Sequence, residues 1–236
     1  MLDGILGPAA LSGYAHARRD LVLFDPKAVT DVLDIGCYRG ATGAYLKTLN
    51  PAVHVVGMEA DSRAVEAARK TYDEVHCVDL ESAGAFTRLG RARFDVIIFG
   101  DVLEHLIEPE AALKSSVGYL KDNGIVVISL PNVQFWEALV TISFGRFPRR
   151  PSGLFDATHV RFFTKYEAIQ LVSKADLLLV KLKRNFRIIE FKRFGFLNHL
   201  CPILYPLMWI MAPYFTYQYV MVCRRNVSSV EASTER

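Results

Sequence analysis

The sequence predicts an α/β fold built on a doubly wound, mostly parallel sheet, and three observations carry that expectation. Apolar strand-like runs alternate with amphipathic segments four times between residues 31 and 130. The run Phe94-Asp-Val-Ile-Ile-Phe99 is almost wholly apolar, as a central parallel strand covered on both faces should be. The first run, Val32-Leu33-Asp34-Ile35, ends in a glycine turn with Gly36 and Gly40, and an acid, Glu59, closes the second run about 20 residues on.

Before the first strand, the segment from Tyr14 to Phe24 reads as a short helix. Strand one passes through the turn Gly36-Cys-Tyr-Arg-Gly40 into a helix with Gly43 one turn in, where a small residue allows close packing on the strand. Such a junction brings backbone N–H groups and a positive helix end to a ligand. Glycines at 36 and 40 keep side chains out of the ligand's way and tolerate positive φ. Strand two, Val53 to Met58, ends at Glu59, placed to bond a ribose diol. The turn departs from the dinucleotide pattern G-x-G-x-x-G because Tyr38 stands at its second glycine, which favours a ligand without a pyrophosphate.

The alanine-rich stretch from Ser62 to Tyr72 predicts a helix capped by Ser62. A third strand, Val75 to Val78, then ends at Asp79, at the sheet edge where open α/β sheets bind ligands. After the fourth strand comes Gly100-Asp101-Val-Leu-Glu104-His105, followed by a helix over about 109–120 that starts at Pro109 and stops near Asn123-Gly124. The fifth strand is Ile125 to Leu130.

Asp101, Glu104 and His105 have i, i+3, i+4 spacing, so a helical turn puts them on one face. With His159 further along the chain they make a candidate divalent-cation set, Asp101, Glu104, His105 and His159, or a general base with its orienting partners, His105, His159 and Glu104 being the candidate catalytic residues. Closing the pocket without chemistry is the third reading.

These motifs resemble those of class I S-adenosylmethionine-dependent methyltransferases, over roughly residues 28 to 180. The resemblance extends to bacterial methyltransferases found with glycosyltransferases and to the ubiquinone O-methyltransferase-like group, on Asp101-x-x-Glu104-His105, Pro131-Asn-Val-Gln-Phe-Trp136 and His159-Val-Arg-Phe-Phe-Thr164. It implies a Rossmann-like, doubly wound, seven-stranded sheet whose last strand is antiparallel. It also implies S-adenosylmethionine as cofactor, held at the turn by Asp34, Gly36, Cys37 and Gly40, and by Glu59 with Ala60 at the ribose. Asp79 and Leu80 would meet the adenine, and Gly100 with Asp101 would close the site. In this group Asp101 replaces a glutamate. Tyr14 is the residue that would cap the methionine end, with plain packing as its alternative role.

Net charge of +3 and 22% charged residues give no reason to expect a nucleic-acid partner. Four widely spaced cysteines and the absence of a basic N-terminal region before an apolar run predict a cytoplasmic protein with free thiols. Residues 1–225 read as a single domain with two insertions. The first, 133–158, mixes aromatics with Arg146, Arg149 and Arg150 and suits an acceptor lid over a small-molecule, glycan or lipid-linked acceptor, or an ordinary solvated hairpin. The second, 184–216, lies between the last two strands, Leu177–Lys183 and Tyr217–Cys223.

Lys181 to Arg193 carries six Lys or Arg against one Glu, and no charged residue follows from Phe194 to Cys223. A helix around 197–212 would serve as a membrane-surface contact through 184–213, at the inner face of the membrane, or as a buried lid or oligomer contact. Three prolines argue against a simple transmembrane span. Residues 226–236 read as a disordered tail. The rival readings are a non-catalytic cofactor-fold scaffold and a nicotinamide-dependent oxidoreductase, the latter disfavoured by Tyr38.

Overall fold

In the computed structural model, residues 16–190 and 192–226 are described. Seven strands form one sheet in the order β3-β2-β1-β4-β5-β7-β6. They are β1 (Asp31–Ile35), β2 (His54–Glu59), β3 (Glu74–Cys77), β4 (Phe94–Gly100), β5 (Leu120–Pro131), β6 (Leu177–Phe186) and β7 (Thr216–Arg225). The first five pair in parallel, and β7 runs antiparallel between β5 and β6, so the expected seven-stranded sheet with an antiparallel last strand is what the chain forms.

Alternation along the strands divides the core. Leu33, Ile35, Ile97 and Phe99 point to one face, under α3 (Pro109–Val117) and α5 (Lys165–Lys174). Val32, Val96 and Ile98 point to the other, under α1 (Ala41–Leu49) and α2 (Ser62–Ala68). Burial on both faces is why β4 has no polar alternation. The strand order reverses between β1 and β4, and their carboxyl ends open a crevice at that switch point.

Several local expectations are corrected. Asp61, not Ser62, caps α2, its carboxylate accepting from the Arg63 amide. The helix begun at Pro109 ends at Val117, and Asn123-Gly124 belong to β5. There Phe94 N–H bonds Tyr119 O, the β4–β5 register shifts, and a side chain on Gly124 would press on the carbonyls of Phe94 and Lys121. Glycine marks a close backbone approach in a bulged strand, not a helix stop. Among described residues of the stretch 16–24, only Arg19–Leu21 forms a turn, of 3-10 type; Tyr14 and the tail from 227 lie outside the described residues.

The first insertion forms α4 (Trp136–Ser143) and a loop, around a small core of Phe135, Ala138, Leu154 and Phe155. Trp136 Nε1 donates to Ile188 O at 2.6 Å and ties it to the second insertion. That second insertion is a 3-10 segment, Lys192–Leu200, then α6 (Cys201–Ile210) and α7 (Ala212–Phe215). No helix among the described residues is long and apolar enough to cross a membrane. All four cysteines are free thiols.

Candidate active site

A cleft of about 1160 Å³ lies over the carboxyl ends of β1 and β4. Of the residues expected from sequence, Asp34, Gly36, Cys37, Gly100, Asp101, Glu104 and His159 line it, while Gly40, Glu59, Ala60, Asp79, Leu80 and His105 do not.

The β1 turn keeps its shape despite Tyr38, which takes φ 45° between Gly36 at 70° and Gly40 at 82°. A left-handed tyrosine is unusual. Its amide is held at 2.9 Å by Glu59 Oε2, whose other oxygen accepts from Ala60 and Asp61 N–H at 2.8 and 3.0 Å. Glu59 therefore fixes the turn, and its two oxygens, with about four acceptor positions between them, retain capacity for a hydroxyl. Asp79 Oδ1 takes the Glu81 amide at 2.9 Å, and Leu80 packs against the core.

Gly36 lines the cleft, and the other glycines also make room within the protein. A side chain on Gly40, Gly43 or Gly57 would meet the ring of Tyr72, and one on Gly36 would meet Val102. Tyr72, which nothing in the local sequence singles out, fills the room those three glycines leave. Its hydroxyl donates to Asp34 Oδ2 at 2.6 Å and accepts from Gly43 N–H at 2.9 Å. Burial pushes the Asp34 carboxyl up to about 7, with the Tyr72 bond opposing and the Glu59 charge adding to the rise.

Arg18 also escaped the sequence reading. Its guanidinium pairs with both oxygens of Asp20 at 3.0 Å, with Gln218 Oε1 at 3.0 Å and with Asp101 Oδ2. Burial opposes its charge, yet Asp101 and Asp20 hold it above its ordinary value. Asp101 sits at φ 58°, with its amide 3.0 Å from Ser129 Oγ and its other oxygen bonded by Ser129 and Gln218. An arginine at 18 and a glutamine at 218, in strands of chain 200 residues apart, leave no spacing signal.

Expected as a fourth cation ligand, Asp101 is thus directed into this network. Glu104, His105 and His159 form a separate group whose candidate ligand atoms lie within 4.8 Å of one another. The turn Leu103–His105 and the Asp156–His159 loop meet because Glu104 O accepts from Val160 and Arg161 N–H, both at 3.0 Å. His159 Nε2 stands 4.0 Å from Glu104 Oε1, and the two imidazole centroids are 4.8 Å apart, edge to face. His105 therefore stands behind His159 rather than on the cleft wall.

Backbone carbonyls set the tautomers. His159 Nδ1 faces Leu154 O at 3.3 Å. His105 Nδ1 faces Thr158 O at 3.3 Å and Thr158 Oγ1 at 3.0 Å, and that hydroxyl donates to Asp156 Oδ1 at 2.6 Å. A carbonyl only accepts, so each neutral ring carries its proton on Nδ1 and presents a lone pair at Nε2. Burial first, then His105, pushes His159 down to about 4, and burial also holds His105 below its ordinary value. Glu104, 1% exposed, has an Oε2 without a hydrogen bond, and burial followed by the Asp101 charge holds its carboxyl well above the usual range.

Two neutral imidazoles with free lone pairs and a buried carboxyl oxygen lacking a partner fit a divalent cation, which would also relieve the cost of ionising Glu104. The same groups, without a cation, present His159 Nε2 as a proton acceptor at the cleft wall.

The methyltransferase domain family matches residues 11–182. The chain is similar to the ubiquinone biosynthesis O-methyltransferase of Bradyrhizobium diazoefficiens, 31% identical over 115 residues that cover 48% of this chain and 44% of that protein. The enzyme of the same name from Cereibacter sphaeroides is 30% identical over 174 residues, 69% of this chain and 66% of its own. The matches thus span about half to two thirds of these relatives. The fold is shared with a plantazolicin methyltransferase solved with a triazolic desmethylPZN analog and SAH, at TM-score 0.57 and 16% identity over 84% of this chain and 77% of that one. It is shared equally with the magnesium protoporphyrin IX methyltransferase of Synechocystis, at TM-score 0.55 and 14% identity over 85% and 76%. With a matching family covering most of its length and the glycine turn, switch-point crevice and seven-stranded sheet in place, the chain belongs to the methyltransferase domain family.

Proposed function

We propose that the chain is an S-adenosylmethionine-dependent methyltransferase that methylates an oxygen of a small acceptor. The observation that carries this reading is that the β1 glycine turn, with Asp34 and Gly36, and the Glu104–His159 pair line one continuous cleft. The ubiquinone biosynthesis O-methyltransferases among its relatives support oxygen as the acceptor atom.

When bound, the cofactor supplies a sulfonium methyl: the S–CH3 bond breaks as the O–CH3 bond forms, and the acceptor's hydroxyl proton leaves. Glu59, which holds the Tyr38 amide just behind the cleft wall, would hold the ribose hydroxyls, and Asp34 would hold the amino-acid end. Arg18, on the same wall, offers that end's carboxylate a guanidinium already oriented by Asp20. His159 Nε2 takes the acceptor proton. His105, behind it, stabilises the orientation of the pair, and the Asp156–Thr158 chain fixes the His105 tautomer. If a cation is held by Glu104, His105 and His159, it would polarise the acceptor hydroxyl. The protein's main contribution is alignment and the exclusion of water.

Isothermal titration of the purified chain with S-adenosylhomocysteine tests the reading, repeated after chelation and with added magnesium or zinc. Saturable binding at one site is the expected outcome. A folded sample that binds none would overturn the proposal in favour of a scaffold. Glu104→Gln should abolish any cation-dependent gain, and a gain that survives it would remove the cation from this site.

A further inference from the structure

α6 carries no charged residue and is apolar around its whole circumference, so the side that points away from the protein is apolar as well. Ile203, Leu207 and Ile210 fall within about 60° of one another on the helix, and they are 75%, 53% and 78% exposed. Met208, roughly 140° from Ile203 around the helix, is the inward anchor at 1%. A helix on a water-facing surface carries polar residues on its outer side. The patch takes in Trp209 of the same helix and continues beyond it through exposed Phe196, Leu200, Met211 and Tyr214, which is more contiguous apolar surface than scattered exposure explains.

Two further observations say what covers it. The first is charge. β6 leads into this insertion with a basic run, of which Lys181 and Arg187 are exposed. Arg187 is fastened beside the apolar segment: its amide donates to Phe215 O at 3.0 Å, and its guanidinium lies 3.9 Å over the Tyr217 ring. Apolar side chains bordered by Arg187 and fed by a strand with a basic run match an anionic lipid surface.

The second is position. Tyr205 of α6, its ring 5.5 Å from Phe186, lines the same cleft as Asp34 and His159, together with Arg184 and Arg187. The helix is thus a rim of the acceptor cleft. At ten residues it is about 15 Å long, half a hydrocarbon core, so it can lie along a bilayer but not span it.

We propose that α6 docks on the surface of an anionic bilayer, with Ile203, Leu207, Trp209 and Ile210 inserted among the acyl chains, and that the cleft receives its acceptor from that surface as a lipid-linked molecule. The acceptor part of this inference rests on the methyltransferase reading; the docking part stands on the exposed helix. The lipid tail remains against α6 while the headgroup passes Tyr205 into the cleft, with Arg184 and Arg187 facing any phosphate it carries.

The test uses the full chain and vesicles of phosphatidylcholine with and without phosphatidylglycerol. Sedimentation with the phosphatidylglycerol vesicles, weakening with added salt, is expected, together with a blue shift of Trp209 emission. The double variant Ile203→Glu/Ile210→Glu should partition at least tenfold more weakly while binding S-adenosylhomocysteine as the parent does, since neither residue lines the cleft. The proposal is overturned if the parent does not bind anionic vesicles, or if the variant binds them equally. It is also overturned if the parent is a dimer that the variant dissolves and neither binds vesicles, in which case a second copy covers the helix. Vesicle binding alongside failure to bind S-adenosylhomocysteine would sink the methyltransferase reading and leave the docking intact.

Discussion

Asp34→Asn is the substitution whose consequence the structure sets most sharply. The carboxyl is 4% exposed at the end of β1, bonded by Tyr72 and facing the Glu59 and Arg18 charges. Burial raises its folded-state value from 3.8 to about 7, which corresponds to about 4 kcal/mol between the two protonation states. The folded value lies above the unfolded one, so the folded chain binds the extra proton between them. The stability this confers is complete below about pH 4 and is lost as the pH rises through about 7. Asparagine keeps the shape of the neutral acid and does not titrate. Linkage then gives about 3 kcal/mol more loss for the parent than for Asp34→Asn between pH 5 and pH 8, for the chain without cofactor. Urea unfolding of both proteins at the two pH values measures this. The difference between the proteins isolates Asp34, because Glu104 and His159 titrate alike in each. If the two proteins lose stability in parallel, to within about 0.5 kcal/mol, Asp34 is not a buried neutral acid and the account of the turn fails.

Other substitutions probe neighbouring parts of the site. Glu59→Ala should weaken S-adenosylhomocysteine binding by roughly 1–3 kcal/mol, through lost hydroxyl bonds and release of the Tyr38 amide; calorimetry that shows unchanged affinity would remove the ribose assignment. Gly43→Ala places a methyl against the Tyr72 ring and should lower stability by about 1–3 kcal/mol in urea, and Tyr72→Phe combined with it should not restore the parent, since the ring remains. Arg18→Lys keeps the charge but not the fork that meets Asp20 and Gln218, so it should recover less than half of the roughly 2–4 kcal/mol lost in Arg18→Ala. Equal stability of the Lys and parent proteins would show that charge alone matters at that position.

The sheet, its order of elements and the place of the crevice were legible because they rest on local, periodic signals. The apolar run of β4, the glycine turn and the acid closing β2 are each read within a few residues, and the sheet's switch point follows from the repeat itself. The proximity of Glu104, His105 and His159 was also expected from sequence, although not that His105 would stand behind its partner. What escaped was everything joined across the fold. Tyr72 takes its meaning from Gly40, Gly43 and Gly57 together, so that Gly40, read as ligand clearance, also makes room for that ring, while Gly36 lines the cleft. Arg18 and Gln218 meet Asp101 across 83 and 117 residues, and they draw it out of the cation set that its spacing had suggested. Which side of the all-apolar α6 is left outward is equally invisible in a run with no charged residue. Sequence by itself determined the backbone frame and the identity of the reactive side chains, because strand and helix periodicity are local properties of the chain. Tertiary structure alone decided which of those side chains point into the cleft and which are occupied by partners, because burial and hydrogen bonding between distant segments exist only once the sheet has brought them together.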